Sequence, residues 1–223
     1  MQASRERSEV RSLLDFLVEK AYACAPGCAG SRKLNSNDMS EPKFLTMAEL
    51  EAGLDWIRNS PRTEGQVKLL VRRPSKETRE VLPQARLDLV EGLMGDNWKS
   101  RGSKSTPDGS ANSEMQLNVM NSRVIALLAP DETRWPLAGD QLYLDLDLSM
   151  AAAPVGTKLA IGSAVIEITA PPHLGCSKFQ ARFGPDAMKF VNSPVGRELR
   201  LRGLNARIVQ PGVVCVGDVV TKL

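Results

Sequence analysis

The sequence lacks any long apolar stretch. Its longest run of aliphatic side chains covers residues 124–129, whereas a helix that spans a membrane needs about 20 consecutive apolar residues. Residues 1–17 mix arginines with acids and hold no continuous apolar core, so they form neither a secretory signal nor an acid-poor mitochondrial presequence. These absences exclude a transmembrane protein and predict a cytoplasmic location.

Neither sign of charge dominates the chain. Lys and Arg total 29 against 26 Asp and Glu, a net charge of +3, which is too small to predict nucleic-acid binding. The bases are nevertheless uneven, because residues 178–207 hold seven of them against two acids. This stretch is either an ordinary solvated surface or a local attraction for an anionic ligand such as a phosphate.

Histidine and cysteine are scarce, with one and four residues respectively. Without a secretory signal the cysteines are expected to be reduced thiols. A Ser-His-Asp triad would have to use His173 as its base, and no other feature of the sequence supports one. The chain also has no phosphate-binding loop, no dinucleotide-binding glycine motif and no nucleophile elbow.

What remains is a globular composition, 42% hydrophobic and 25% charged over 223 residues. Apolar residues at helical spacing predict an amphipathic helix over residues 10–21, and a polar linker follows at residues 32–41. We therefore predict a partly disordered extension and linker over residues 1–45 and a single domain over residues 46–223. Within that domain, Thr46 and Glu49 match the capping-box pattern, which predicts a helix over residues 47–58.

The rest of the domain has the pattern of a mostly β (α+β) protein. Residues 142–148, for example, alternate apolar and polar side chains as a half-buried strand does. Two pairings are expected, a hairpin across Gly162-Ser163 and a closing pair across residues 210–212. Such a pattern indicates a closed or partly open β-barrel-like core, or a sandwich, with short helical insertions and an N-terminal helical extension. The predicted strands are residues 67–71, 123–128, 142–148, 158–161, 164–169, 206–209 and 213–220; the predicted helices are residues 185–191 and 195–201, the second capped by Gly203.

The segment at residues 169–179 is the strongest candidate for chemistry. A β segment ends there at two prolines, His173 follows, and a glycine precedes Cys176. Prolines stiffen a loop and glycine permits close approach to a ligand. The nearby Lys178 and Arg182 would favour the Cys176 thiolate, which acts as a nucleophile or as a soft-metal ligand. The alternative is that Cys176 is a small buried hydrophobic residue at the end of a strand.

The other cysteines allow a further alternative. Cys24, Cys28, His173 and Cys176 would supply four zinc ligands, although the spacer between the two pairs is far longer than in compact zinc modules. Cys215 lies in an apolar strand and is predicted to be a buried structural thiol.

From about residue 64 onward the chain resembles the MOSC family, named for the C-terminal domain of molybdenum cofactor sulfurases. The resemblance rests on an ordered set of short motifs that covers roughly seven-tenths of the chain. These motifs are GLMGD at residues 92–96, the stretch at 117–128, AGDQLYLDLDL at 138–148, PVGTKLAIGS at 154–163, PPHLGC at 171–176, LRGLNAR at 201–207 and VGD at 216–218.

The resemblance implies a barrel-like, mostly β fold and a role for Cys176. The family's cysteine carries sulfur or ligates molybdenum in the pterin cofactor, and it falls on Cys176. Lys178 and Arg182 would then contact the anionic pterin. The further candidates are His173, as a hydrogen-bond donor near the metal or a loop residue, and Asn118 and Arg123, which line the site or support their strand.

Two departures from the family pattern matter. The family often has Gly-Glu-Asn-Leu where this chain has Gly139-Asp-Gln-Leu142, and the chain lacks the aminotransferase-like domain that holds pyridoxal phosphate in full-length sulfurases. Pyridoxal phosphate chemistry is therefore not expected within this polypeptide.

Three functions fit the resemblance. The first is a reductase of N-hydroxylated compounds that binds the molybdenum cofactor; with no ferredoxin-like cysteine cluster and no flavin motif, it would take electrons from an external donor protein. The second is a carrier that receives a persulfide on Cys176 from a sulfur donor. The third is a non-catalytic module that binds or delivers the cofactor. Neither nucleic acid nor a membrane is expected as a partner.

Because residues 1–40 carry a polar linker and lie outside the resemblance, we expect their deletion to leave a soluble, functional domain. Thermal unfolding and cofactor content of the truncated and full-length chains test this expectation. An insoluble or inactive truncated protein would contradict it.

Overall fold

The structure is a computed structural model that describes residues 44–223. The predicted helix over residues 10–21, together with Cys24 and Cys28, lies outside them. Strands β1–β11 span Glu64–Arg72, Glu80–Leu82, Gln84–Asp88, Gly92–Leu93, Leu117–Asn121, Leu142–Asp145, Lys158–Ile161, Ala164–Ile168, Leu204–Gln210, Gly212–Cys215 and Val219–Lys222. Helices span Met47–Ala52, Leu54–Arg58, Trp98–Arg101, Ser122–Leu128, Ser177–Phe183, Pro185–Asn192 and Pro194–Glu198, and 3-10 helices span Ser113–Met115 and Glu132–Ala138.

Seven strands form a closed barrel in the order β1-β6-β5-β9-β8-β7-β11, and pairing of β11 with β1 closes the ring. Only β5 and β6 are parallel within it. Strand β2 extends the sheet beyond β1, and β10, β3 and β4 form a separate small sheet. The predicted barrel-like, mostly β fold is confirmed. Within residues 44–223 no helix has the length and apolar character to cross a membrane.

Two apolar clusters hold the barrel together, one inside it and one between its outer face and the helices. Strand β6 contributes to both, since Leu142 and Leu144 pack inside while Tyr143 packs in the outer cluster. The strand predicted over residues 142–148 is present as β6 and ends at Asp145. The predicted alternation holds at residues 144–148, where two partly exposed aspartates lie between buried leucines. Tyr143 is the exception, because helices cover it in the outer cluster.

Residues 123–128, predicted as a strand, form the helix Ser122–Leu128 instead. The Asn121 carboxamide oxygen accepts a hydrogen bond from the Arg123 amide at 2.9 Å and caps the helix start. Four apolar side chains of this helix are buried. A short apolar run fits a buried helix as well as a buried strand, and here the cap and the helical packing surface select the helix.

The predicted pairing at the C-terminus is also wrong. Strands β9, β10 and β11 follow one another in the chain but do not pair together: β9 pairs with β5 and β8, β10 with β3, and β11 with β1 and β7. Closing the barrel requires β11 to reach β1 on the far edge of the sheet, which a local hairpin would prevent.

Several local predictions are confirmed. Thr46 and Glu49 form a reciprocal capping box, and the predicted helix is divided at Gly53 into two short helices. Strands β7 and β8 form the predicted hairpin, with Gly162 at φ +55°. The helices near residues 185–191 and 195–201 are present, but the second ends at Glu198, so Gly203 (φ +98°) forms a later turn instead of capping it.

The helix Ser177–Phe183, which follows Cys176, was not predicted. Its signal is the pair Phe179 and Phe183, four residues apart, both buried, with ring centroids 4.9 Å apart.

Asn121 joins three elements, because its amide group also donates to Ser60 Oγ at 2.8 Å and to the Leu146 carbonyl at 3.0 Å. Asn121→Ala should lower the free energy of unfolding by about 2–4 kcal/mol, since it removes a helix cap and leaves buried acceptors unpaired. Urea titration measures this. The control is Asn112→Ala, which removes the cap of the more exposed 3-10 helix Ser113–Met115; equal losses in both variants would contradict the prediction.

Candidate functional site

The loop at residues 170–176 is fastened to the barrel and to a helix. Asn205 of β9 donates to the Pro171 carbonyl at 3.0 Å. At the other end, the Asn192 side chain accepts from the Gly175 amide at 3.0 Å and donates to the Gly175 carbonyl at 3.2 Å. The loop therefore presents the next residue, Cys176, in a position fixed from both sides.

Gly175 is required by close packing. A Cβ at this position would lie 2.9 Å from Met188 Sδ and 3.0 Å from Val191 Cγ2. Glycine lets the loop lie this close to the helix Pro185–Asn192 without displacing these side chains, because it has no Cβ.

Cys176 is exposed and carries a free thiol immediately before the helix Ser177–Phe183. It is not the buried hydrophobic residue of the alternative interpretation. Cys215 is half-buried and also free, so the prediction that it is a fully buried thiol is wrong: its strand, β10, lies in the small outer sheet rather than in the barrel.

Lys178 and Arg182 lie one helical turn apart after Cys176, and both contact the carboxylate of Glu77. Arg182 also donates to the Leu137 carbonyl at 2.7 Å. The two bases predicted to contact an anion thus share a carboxylate from the loop between β1 and β2. Sequence reasoning missed Glu77 because it lies 101 residues from Lys178.

His173 faces a buried carboxylate. Its Nδ1 lies 3.5 Å from Asp140 Oδ1, and Arg202 donates to Asp140 Oδ2 at 2.7 Å. Burial, followed by the positive charges of Arg202 and Arg73, holds the pKa of His173 well below its usual value. Burial raises the pKa of Asp140, and the nearby Arg202 opposes that rise.

Asn118 belongs to the same polar network. Its carboxamide oxygen accepts from Arg73 Nη1 at 2.9 Å, and its amide group donates to Asn205 Oδ1 at 2.7 Å. Through Asn205 it connects to the loop that carries His173 and Cys176.

Arg123 lies elsewhere. It donates to Asp145 Oδ1 at 2.7 Å and to the carbonyls of Trp56 and Asn59. Asp145 ends β6, whereas Asp140 lies just before its start, so the structure does not bring Arg123 to the network around His173.

Four buried polar atoms at the site have no hydrogen-bonding partner within residues 44–223. They are Arg79 Nε, Arg202 Nε, Asp140 Oδ1 and His173 Nδ1. Buried polar atoms are normally paired; His173 Nδ1 and Asp140 Oδ1 face each other at 3.5 Å, which leaves the Nε atoms of Arg79 and Arg202 as donors without an acceptor. Burial, then the charges of Arg182 and Arg73, lower the pKa of Arg79, which an anion would relieve.

Across residues 44–223, no three His, Cys, Asp or Glu side chains cluster into a metal site. The zinc alternative stays a prediction, since Cys24 and Cys28 lie outside the described residues.

The residues of the polar network around His173 that the sequence did not predict lie in motifs that were recognisable. Asp140 lies in the AGDQL motif, and Arg202 and Asn205 lie in LRGLNAR. The motifs support the family resemblance, and in the structure they supply polar side chains that hydrogen-bond to Asp140 and to Asn118.

The family model described as MOSC domain matches residues 111–221. Among solved structures, the YuaD protein from Bacillus subtilis is 14% identical, with a TM-score of 0.52 over 72% of this chain and 96% of that one. YiiM from Escherichia coli is 17% identical, with a TM-score of 0.46 over 71% of this chain and 69% of that one. The likeness to YuaD supports the fold. No curated protein matches the chain.

His173, the only histidine of the chain, should give stability a distinct pH dependence. Because its folded pKa is depressed, the unfolded chain takes up a proton below about pH 6.5 that the folded protein refuses. The contribution of neutral His173 to the free energy of unfolding is therefore fully present above that pH. Below it the contribution is lost, by up to about 1.4 kcal/mol per pH unit.

Urea titrations from pH 7.5 to 5 on wild type and His173→Gln measure this effect. The variant should lose less stability than wild type as the pH falls, because it lacks the imidazole that takes up a proton on unfolding. Asp140, whose raised pKa acts in the opposite direction, is present in both chains. Parallel curves would show that His173 is not held neutral.

Proposed function

The chain belongs to the MOSC family over residues 111–221, a family associated with molybdenum-cofactor binding, and from this we propose that it binds a molybdenum pterin beside Cys176 and reduces N-hydroxylated compounds there. The observation that carries the proposal is the exposed Cys176 thiol at the end of the loop whose His173 faces a network with unpaired buried polar atoms.

The residues present fit the cofactor. A cysteine thiolate is a soft ligand that suits molybdenum better than hard oxygen ligands would. Arg79 Nε and Arg202 Nε are unpaired donors that would suit an anionic phosphate. When bound, the cofactor supplies the oxygen-atom transfer.

The chain's own residues would bind and orient the cofactor. Cys176 Sγ would ligate the molybdenum, and Lys178 and Arg182 would attract the anionic portion of the cofactor. Burial, followed by the charges of Arg202 and Arg73, lowers the pKa of His173, so at neutral pH it would act as a hydrogen-bonding partner without adding charge. Asn118 would position the site indirectly, because it hydrogen-bonds to Arg73 and to Asn205.

Reduction of an N-hydroxylated compound to the amine and water consumes two electrons and two protons. We assign the electrons to an external donor protein.

Transfer of sulfur is the second candidate, favoured by the exposure of Cys176. A persulfide on Cys176 Sγ would be accessible to an acceptor thiol or cofactor, and a terminal sulfur held there needs no metal. A module that only binds and delivers the cofactor would show the same site without turnover.

The test is to express wild type, Cys176→Ala and Cys215→Ala in a host that makes molybdenum cofactor, and to measure molybdenum and pterin per chain. Wild type and Cys215→Ala should each hold close to one molybdenum and one pterin per chain. The molybdenum content of Cys176→Ala should be at least about tenfold lower. Cys215→Ala is the matched control because it removes the other free thiol of residues 44–223.

Turnover of an N-hydroxylated base with an artificial electron donor then separates a reductase from a delivery module. Detection of a persulfide on Cys176 in protein that holds no molybdenum would favour the sulfur carrier over the reductase. Equal molybdenum in wild type and Cys176→Ala would refute the assignment of Cys176 as ligand.

A further inference from the structure

We propose that Glu77 is a specificity-determining residue that competes, as a tethered carboxylate, with the anionic group of the ligand for Lys178 and Arg182. The inference rests on the proposed function, because it identifies a regulator of the same site. It makes the site selective for multiply charged anions.

The contacts place Glu77 where an anion would bind. One carboxylate oxygen lies against Lys178 Nζ and the other against Arg182 Nη2. The two bases belong to the helix that starts immediately after Cys176, whereas Glu77 comes from the loop between β1 and β2. A carboxylate that bridges two cations in this way makes the contacts that two phosphate oxygens would make.

The backbone of Glu77 lies in a tight turn between β1 and β2. Glu77 has φ +65°, one of two positive values at residues other than glycine within residues 44–223. A side chain with a Cβ rarely adopts this conformation. The turn is closed by the Thr78 amide, which donates to the Ser75 carbonyl at 3.2 Å, so a local turn carries the Glu77 carboxylate to the two bases.

The surroundings of Glu77 favour displacement of its carboxylate by a more highly charged anion. A hydrogen bond from Lys178, then the charges of Arg182, Lys178 and Arg79, lower the pKa of Glu77, so the carboxylate is ionised at neutral pH. Lys178 and Glu77 are about half exposed, at 58% and 49%, and such pairs are weak. A phosphate with two charges and three acceptor oxygens would displace the carboxylate, whereas a monocarboxylate would gain nothing over it.

The experiment is calorimetric titration of inorganic pyrophosphate, and separately of acetate, into the full-length chain from a host without molybdenum cofactor. Glu77→Gln should bind pyrophosphate about fivefold more tightly than wild type, the gain expected from loss of an exposed competing ion pair. Glu80→Gln is the matched control: it removes the same charge at the end of the same loop, from a glutamate paired with Arg72, and should change affinity less than twofold.

The outcomes separate this inference from the proposed function. If Lys178→Gln weakens pyrophosphate binding but Glu77→Gln leaves it unchanged, the anion site stands and the competitor role is overturned. Lower thermal stability of Glu77→Gln without tighter binding would show a structural tie and also overturn it. Tighter binding by Glu77→Gln in a protein that never acquires molybdenum supports the competitor role and refutes the cofactor.

Discussion

The buried guanidinium of Arg73 is the interaction on which the site depends. Its side chain is 6% exposed and forms a bidentate pair with Asp96, while Nη1 donates to Asn118 and to the Gly139 carbonyl, both at 2.9 Å. An unpaired buried charge is strongly destabilising, so these partners must occupy fixed positions together. The end of β1 is thereby tied to β5 and to the segments before the helix Trp98–Arg101 and before β6.

From Arg73 the constraint reaches the candidate site through polar contacts. Asn118 connects to Asn205, and Asn205 holds the Pro171 carbonyl at the start of the loop. Asn192 and the absence of a Cβ at Gly175 fix the other end. The exposed thiol of Cys176 is therefore presented by a rigid support, as a ligand or sulfur-carrying group requires.

Charge at this end of the barrel is balanced rather than simply positive. Asp96 and Asp140 pair with Arg73 and Arg202, and Glu77 pairs with Lys178 and Arg182. What remains unsatisfied is a small set of buried polar atoms around His173 and Asp140. An anionic, hydrogen-bonding ligand fits that remainder, which links the fold to cofactor binding and to competition by Glu77.

The sequence alone determined features that depend on neighbouring residues. The capping box at Thr46, the hairpin at Gly162 and the unusual segment around Cys176 were predicted, because caps and turns form between residues a few positions apart. Tertiary structure decided the rest: that residues 122–128 are helical, that β11 closes the barrel on β1, and that Glu77 meets Lys178. The last two outcomes join residues between about 100 and 160 positions apart, which no local pattern records. The helix has a local cap at Asn121, but its apolar run fits a strand equally well until its packing surface is known.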